Sequence, residues 1–216
     1  MEFLILLGPP GSGKGTLSRL LESRNGWKPI STGEEIRKRM ADPDSEIGRT
    51  SAPYMDRGDY IPDALALKLF FSIVENLSSE ARIVLDGFPR SVPQAEALAD
   101  WVNAQGHTVQ GCVFLELNPD RAAERMRNRR VCPTCRTTYP AVAGDPAGDP
   151  AGETCDVCGG TLIPREDDDP ERMARRVRRH EQLTRPLRDW YRERGRLIEL
   201  DASKTTEQLR EEIVNH

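Results

Sequence analysis

FLILLGPPGSGKGT, residues 3–16, decides the fold class, because it joins an apolar run short enough for one strand to a glycine-rich turn and a helix start. That order is the context in which G-x-x-x-x-G-K forms a phosphate-binding loop. Backbone N–H groups around Gly11, Ser12, Gly13 and Gly15 can turn inward onto phosphate oxygens. The helix that follows adds its positive end, and Lys14 adds a full charge. The general motif has Ser or Thr directly after the lysine to reach magnesium; here Gly15 takes that place and Thr16 follows.

Outward from this stretch, short β-type runs alternate with helical patterns. The runs are FLILL at 3–7, RIVLD at 82–86, CVFLEL at 112–117 and RLIEL at 196–200, with a weaker one ending at Ile30. Such alternation predicts an α/β fold in three layers, a parallel five-stranded sheet with helices on both faces. Thr32 with Glu35 and Thr205 with Gln208 have capping-box spacing, and Pro62, Pro93, Pro119 and Pro170 sit where a first helical turn tolerates proline. From Pro62 to Leu77, the residues Ala66, Leu69, Phe70, Ile73, Val74 and Leu77 make a helical stripe that should face the core.

Two stretches interrupt the alternation. Residues from about 31 to 61 read as a charged, helical excursion, and a second insertion from about 128 to 168 holds four cysteines and GDPAGDPAG at 144–152, too rich in Gly and Pro for regular structure. At 216 residues the chain suits one domain carrying these two inserts. A net charge of −4 with 31% charged residues gives no global basic field for nucleic acid or anionic lipid, so any anion site must be local. No run is long enough to span a bilayer or to serve as a secretory leader, and the cytoplasm is the expected location.

Cys132, Cys135, Cys155 and Cys158 form Cys-x2-Cys-x19-Cys-x2-Cys, the ligand set of a closed tetrahedral zinc with no position left for water. The expected zinc is structural. A zinc ribbon for nucleic acid, attached to an ATPase, is the rival reading. Between the cysteine pairs, however, Arg136 is the only basic residue, and Asp145, Asp149 and Glu153 would repel a phosphate backbone. Cys112, in an apolar run, reads as a buried strand residue. His107, His180 and His216 have no partner at recognisable spacing and are expected at the surface.

GPPGSGKGT, ISTGEEIR at 30–37 and LDGFPRSVPQAE at 85–96, in this order and spacing, resemble the three signatures of the adenylate kinases, in the bacterial form with a zinc-bearing lid. The resemblance covers the whole chain. It implies reversible, magnesium-dependent transfer of the γ-phosphoryl group of ATP to AMP, giving two ADP, in the service of adenine nucleotide balance. Matched by motif, Lys14 is the phosphate-loop lysine. Thr32, Arg37, Ile61, Gly87, Arg90 and Gln94 fall where AMP is held, and Gly11 to Thr16, Arg125, Arg129 and the backbone near Lys204 fall where ATP is held. Arg129, Arg165 and Arg176 match arginines that neutralise the transferring phosphate, the last two also facing AMP, while Asp167 and Asp168 match hinge acids.

The side chains suit these roles. Arg90 offers a planar fork for the acceptor phosphate, and Gln94 offers both a donor and an acceptor to one edge of adenine. Asp86, at a strand's carboxyl end beside the loop, can hold Mg2+ through its waters, or it can simply cap a helix. The resemblance further implies a monomer and ATP and AMP as its only partners, with no nucleic acid and no membrane. Glu34, Asp59, Tyr60 and Trp27 depart from the family pattern and bear on the acceptor pocket. A uridylate/cytidylate kinase is the nearest competitor, but a short lid and asparagine near position 94 are usual there. ATP and GTP remain open as donors.

Overall fold

The computed structural model of the chain describes residues 1–127, 129–135, 137–139, 153–164 and 170–216. Its centre is β1 (Glu2–Leu7), whose alternating side chains divide the interior. Phe3, Ile5 and Leu7 face one buried cluster, while Leu4 and Leu6 face another on the opposite side, the period-2 signature of a strand covered on both faces. β3 (Arg82–Asp86) pairs with it in parallel on one side and β4 (Thr108–Glu116) on the other. β2 (Lys28–Ser31) and β8 (Leu197–Asp201) complete a fully parallel sheet in the order β2-β3-β1-β4-β8. This is the three-layer α/β fold with five parallel strands that the alternating runs predict.

α1 (Lys14–Asn25) and α8 (Thr206–Val214) bury Leu17, Leu21, Leu209 and Ile213 against the Leu4–Leu6 face. α4 (Asp63–Val74), α5 (Val92–Ala104) and α7 (Pro170–Glu193) cover the other. Between β2 and α4 run α2 (Thr32–Met40) and α3 (Glu46–Arg57). α6 (Pro119–Arg127) follows β4 and leads to a small antiparallel sheet of β5 (Arg130–Val131), β6 (Thr138–Tyr139) and β7 (Ile163–Pro164). That sheet rests on α1, where Arg19 Nη2 donates to the Thr138 carbonyl at 2.9 Å.

Several local expectations are met. Thr205 and Gln208 exchange both capping-box bonds at the start of α8. Ala66, Leu69, Phe70 and Val74 are buried, and Ile73 and Leu77 pack against the same core, although α4 ends at Val74 and begins one residue after Pro62. Cys112 is fully buried in β4, where burial pushes its thiol well above the ordinary range. The Thr32–Glu35 capping box does not form. β2 runs straight into α2, so the extended Ser31 takes the cap position; Thr32 becomes the first helical residue, and Glu35 pairs with Lys38 at 2.6 Å instead. GDPAGDPAG, Arg165, Asp167 and Asp168 lie outside the described residues.

Candidate active site

The carboxyl ends of β1, β2 and β3 open into a cleft of about 230 Å³. In open parallel sheets ligands bind there, where connections from neighbouring strands diverge. The loop between β1 and α1 forms its floor. Gly11 holds φ +84°, and a Cβ on it would stand 2.9 Å from the Ala122 carbonyl oxygen, so only glycine lets the loop turn while pressed against α6. Lys14 folds back over this loop, its Nζ donating to the carbonyls of Gly8 (2.8 Å) and Pro9 (2.9 Å) and to Ser12 Oγ (3.3 Å). Burial lowers its pKa to about 8. Asp86 works against that shift, and Arg90, Arg129 and Arg176 reinforce it. The cleft thus holds a buried cation whose one opposing charge, Asp86, does not offset its burial and the arginines.

One wall descends from β3. Asp86 ends the strand, with Oδ2 3.8 Å from where a Cβ on Gly15 would stand. The glycine after the lysine therefore leaves the approach to this carboxylate open. Gly87, at φ +83°, lies so close beneath Arg90 that a Cβ would meet Nη2 at 2.6 Å. Arg90 Nε donates to the Gly87 carbonyl at 2.6 Å, and its guanidinium lies over the Tyr60 ring, 4.2 Å from the centroid. Phe88 anchors the turn by stacking on Phe70, ring centroids 4.7 Å apart.

Gln94 is buried, at 4% exposure, with its amide half spent. Oε1 accepts from the Arg90 backbone N–H (2.8 Å), and Nε2 donates to Asp63 Oδ1 (2.7 Å), which also accepts from Ser91 Oγ (2.9 Å). A primary amide has two N–H groups and two lone pairs, so one of each is left for a ligand. These bonds also fix which end is oxygen.

The other walls bring in Thr32, Arg37 and Ile61 from the α2–α4 side, and Arg125, Arg129 and Arg176 from α6, its exit and α7. Arg125 is buried at 2% exposure and ties the loop to the end of β8, Nη1 donating to the Gly11 carbonyl (3.4 Å) and Nη2 to that of Ala202 (3.2 Å). Lys204 does not line the cleft. Its Nζ pairs with Glu212 at 2.7 Å, so any part it takes falls to the backbone nearby.

The histidine expectation needs correction. His216 is exposed, but His107 is half-buried against Phe3 and Trp101, and His180 lines the cleft. The sign was its i+4 spacing from Arg176 and to Thr184, which puts all three on one face of α7. Asp63 and Arg19 also line the cleft and were missed; each acts across at least 28 residues of sequence, on Ser91, Gln94 or Thr138, and has no local signature.

Beyond the cleft, the four cysteines of the second insertion converge, their Sγ atoms all within 4.8 Å of one another. Cys132–Cys158 and Cys135–Cys155 are each 3.4 Å apart. Four thiolates about 2.3 Å from a tetrahedral zinc stand roughly 3.8 Å apart, so the group fits that ion. Backbone N–H groups of Cys135 and Thr134 aimed at Cys132 hold its thiol below the ordinary range, whereas at Cys158 the lowering by the Gly160 N–H is outweighed by the bonds from Cys132 and Cys135, which push the thiol up. Tyr139 hydroxyl bonds both Cys155 Sγ (3.1 Å) and Asp156, bracing the second pair.

Residues 6–196 match the family model described as adenylate kinase. Among curated relatives, proteins named adenylate kinase from Caldanaerobacter subterraneus subsp. tengcongensis and Archaeoglobus fulgidus are each 34% identical over 97% of this chain, covering 93% and 95% of their own lengths. One from Bacillus licheniformis is 33% identical over 93% of this chain and 91% of its own. With the phosphate loop, the arginine-lined cleft and the four-cysteine cluster in place on a five-stranded parallel sheet, the chain belongs to the adenylate kinase family of phosphotransferases.

Proposed function

We propose that this chain transfers the γ-phosphoryl group of ATP reversibly to AMP, giving two ADP, with Mg2+ bound to the donor. One observation carries the reading: Lys14, Asp86, Arg90, Gln94, Arg129 and Arg176, drawn from five separate segments, line a single cleft. Phosphoryl transfer asks the protein mainly for alignment and for compensation of charge on the phosphate oxygens. Lys14 leaves the carbonyls of Gly8 and Pro9 for the donor's terminal phosphates, exchanging dipoles for full negative charge. Arg90 holds the acceptor phosphate, and Arg129 and Arg176 close over the oxygens between. Gln94 reads adenine with its remaining N–H and lone pair, its orientation locked by Asp63 and the Arg90 backbone. Arg125 and the loop near Lys204 border the donor base.

Two ions complete the reading. Asp86 suits Mg2+ because a lone carboxylate with room beside it leaves that ion most of its waters; the ion supplies neutralisation of the donor phosphates. The cysteines suit a structural Zn2+ that keeps the small sheet folded while it covers the cleft, since water admitted there would hydrolyse ATP. Net charge and the acidic connector speak against nucleic acid and anionic membrane partners, and the family resemblance supports a cytoplasmic monomer that serves adenine nucleotide balance. Among the described residues no helix is long and apolar enough to cross a membrane. A coupled assay with AMP, GMP, CMP and UMP against ATP and GTP tests the reading. AMP should lead by at least about tenfold, the worth of one or two unpaired buried groups. Equal turnover of UMP and AMP overturns it.

A further inference from the structure

His180 is a titratable group in the cleft for which the transfer chemistry above has no use. Its Nδ1 is 2.9 Å from Thr184 Oγ1, and Thr184 is buried at 6% exposure. A hydroxyl rotor donates to a neutral imidazole or accepts from an imidazolium, so this partner serves either charge state. With Nδ1 taken, Nε2 is the ring nitrogen left for a ligand.

The surroundings decide which state is present. Lys14 on α1, Asp86 and Arg90 at the end of β3, Arg125 and Arg129 on and after α6, and Arg176 on α7 line the same space. On the acceptor side stand Glu34, Arg37, Asp59 and Asp63, with Arg19 on α1. Among the described residues seven of these side chains are basic and four acidic, so that lining carries an excess of positive charge. Burial first, then Lys14 and Arg90, push His180 down to about 3, and at neutral pH the ring is uncharged. Two nucleotides bring roughly six negative charges. An opposite charge within about 4–6 Å raises a histidine by about 1–3 units, so several phosphates reverse the field.

We propose that His180 is a substrate-linked proton acceptor: neutral in the empty cleft, it takes one proton from solvent as the phosphates enter, and Nε2–H then donates to a phosphate oxygen. The proposal rests on the kinase reading of this cleft. It adds a cation to the wall that is present only when anions are bound, and so spares the empty cleft that much repulsion.

The test uses the metal-replete protein and a probe of two adenosines joined by five phosphates, which occupies both subsites and has no secondary phosphate ionisation of its own. The chain has three histidines, so imidazole proton resonances can be followed from pH 5 to 8.5 and His180 identified by its absence in His180→Gln. The free protein should show no His180 midpoint above pH 5, and the complex should show one between about 5.5 and 7.5. For a midpoint near 7 in the complex, proton linkage makes His180→Gln bind the probe about tenfold more weakly at pH 6 and within about twofold of wild type at pH 8.5, with a smaller loss at pH 6 for a lower midpoint. If the probe fails to bind wild type, the kinase reading falls and this inference with it. If it binds while the His180 resonance stays flat, or if His180→Gln is equally impaired at both pH values, the inference alone is overturned. If that variant does not fold, His107→Gln and His216→Gln assign the other two resonances and leave His180 by elimination, so the titration on wild type still decides the matter.

Discussion

Replacing Lys14 with methionine separates charge from chain. The methionine keeps an unbranched stem and loses the ammonium. In the free protein Lys14 is held from 10.5 down to about 8, a difference worth about 3 kcal/mol against the charge at 1.36 kcal/mol per unit. That is an upper bound, since the cleft is open to water. Against it stand the bonds to Gly8, Pro9 and Ser12, each of net worth about 1 kcal/mol. The two contributions nearly cancel. Lys14→Met should therefore melt within about 3 °C of wild type, using about 2–4 °C per kcal/mol for a chain of this size. Turnover should fall roughly 10³-fold, about 4 kcal/mol of lost transition-state stabilisation. The checks are a nucleotide-free thermal melt and a coupled assay on the same preparation. Turnover within tenfold of wild type would remove Lys14 from the chemistry, and a fall of more than about 6 °C in Tm would make it a structural post.

Three further outcomes follow from the same geometry. Lys14 is charged below its folded pKa and loses its proton as pH rises, so kcat/KM, which reports the free enzyme, should decline above about pH 8; a flat profile to pH 9.5 contradicts the assignment. Gln94→Leu should raise KM for AMP by at least about tenfold and narrow the preference over UMP, since it also takes the Gln94 acceptor from the Arg90 N–H and leaves Asp63 Oδ1 only its bond from Ser91; an unchanged acceptor ranking in a folded variant refutes that role. Cys132→Ser with Cys135→Ser should lose about one zinc per chain and unfold the small β5–β7 sheet below the main transition, because binding energy in such sites is largely folding energy. A melting profile and metal content like wild type would end the staple account.

What could be read from the chain alone was what is local. FLILLGPPGSGKGT carries its own strand, turn and helix start, and the paired cysteines carry their spacing, so both were legible before any contact was known. Strand β4 begins at Thr108, four residues ahead of its apolar run, because the pairing of Glu2 and Phe3 with Thr108 and Val109 extends it where the sequence is polar. The charge state of His180 was illegible for another reason: it depends on burial and on Lys14 and Arg90, which reach the same cleft from α1 and from the β3 end. Gln94 looked like a free amide in sequence, and only the arrival of Asp63 from the start of α4 reveals how much of it is already used. Thr32 read as a cap until β2 was seen to run without a break into α2.

In the proposed reaction the γ-phosphate of ATP becomes the β-phosphate of a new ADP built on AMP in this cleft. Its most direct test supplies ATP labelled only in the γ-phosphate, with AMP and Mg2+, and follows the label over the first tenth of the reaction. Label should leave ATP only as fast as AMP is consumed and appear in ADP, with two ADP formed per AMP. Label released as inorganic phosphate at a rate independent of AMP would mark the cleft as that of an ATP hydrolase and contradict the account.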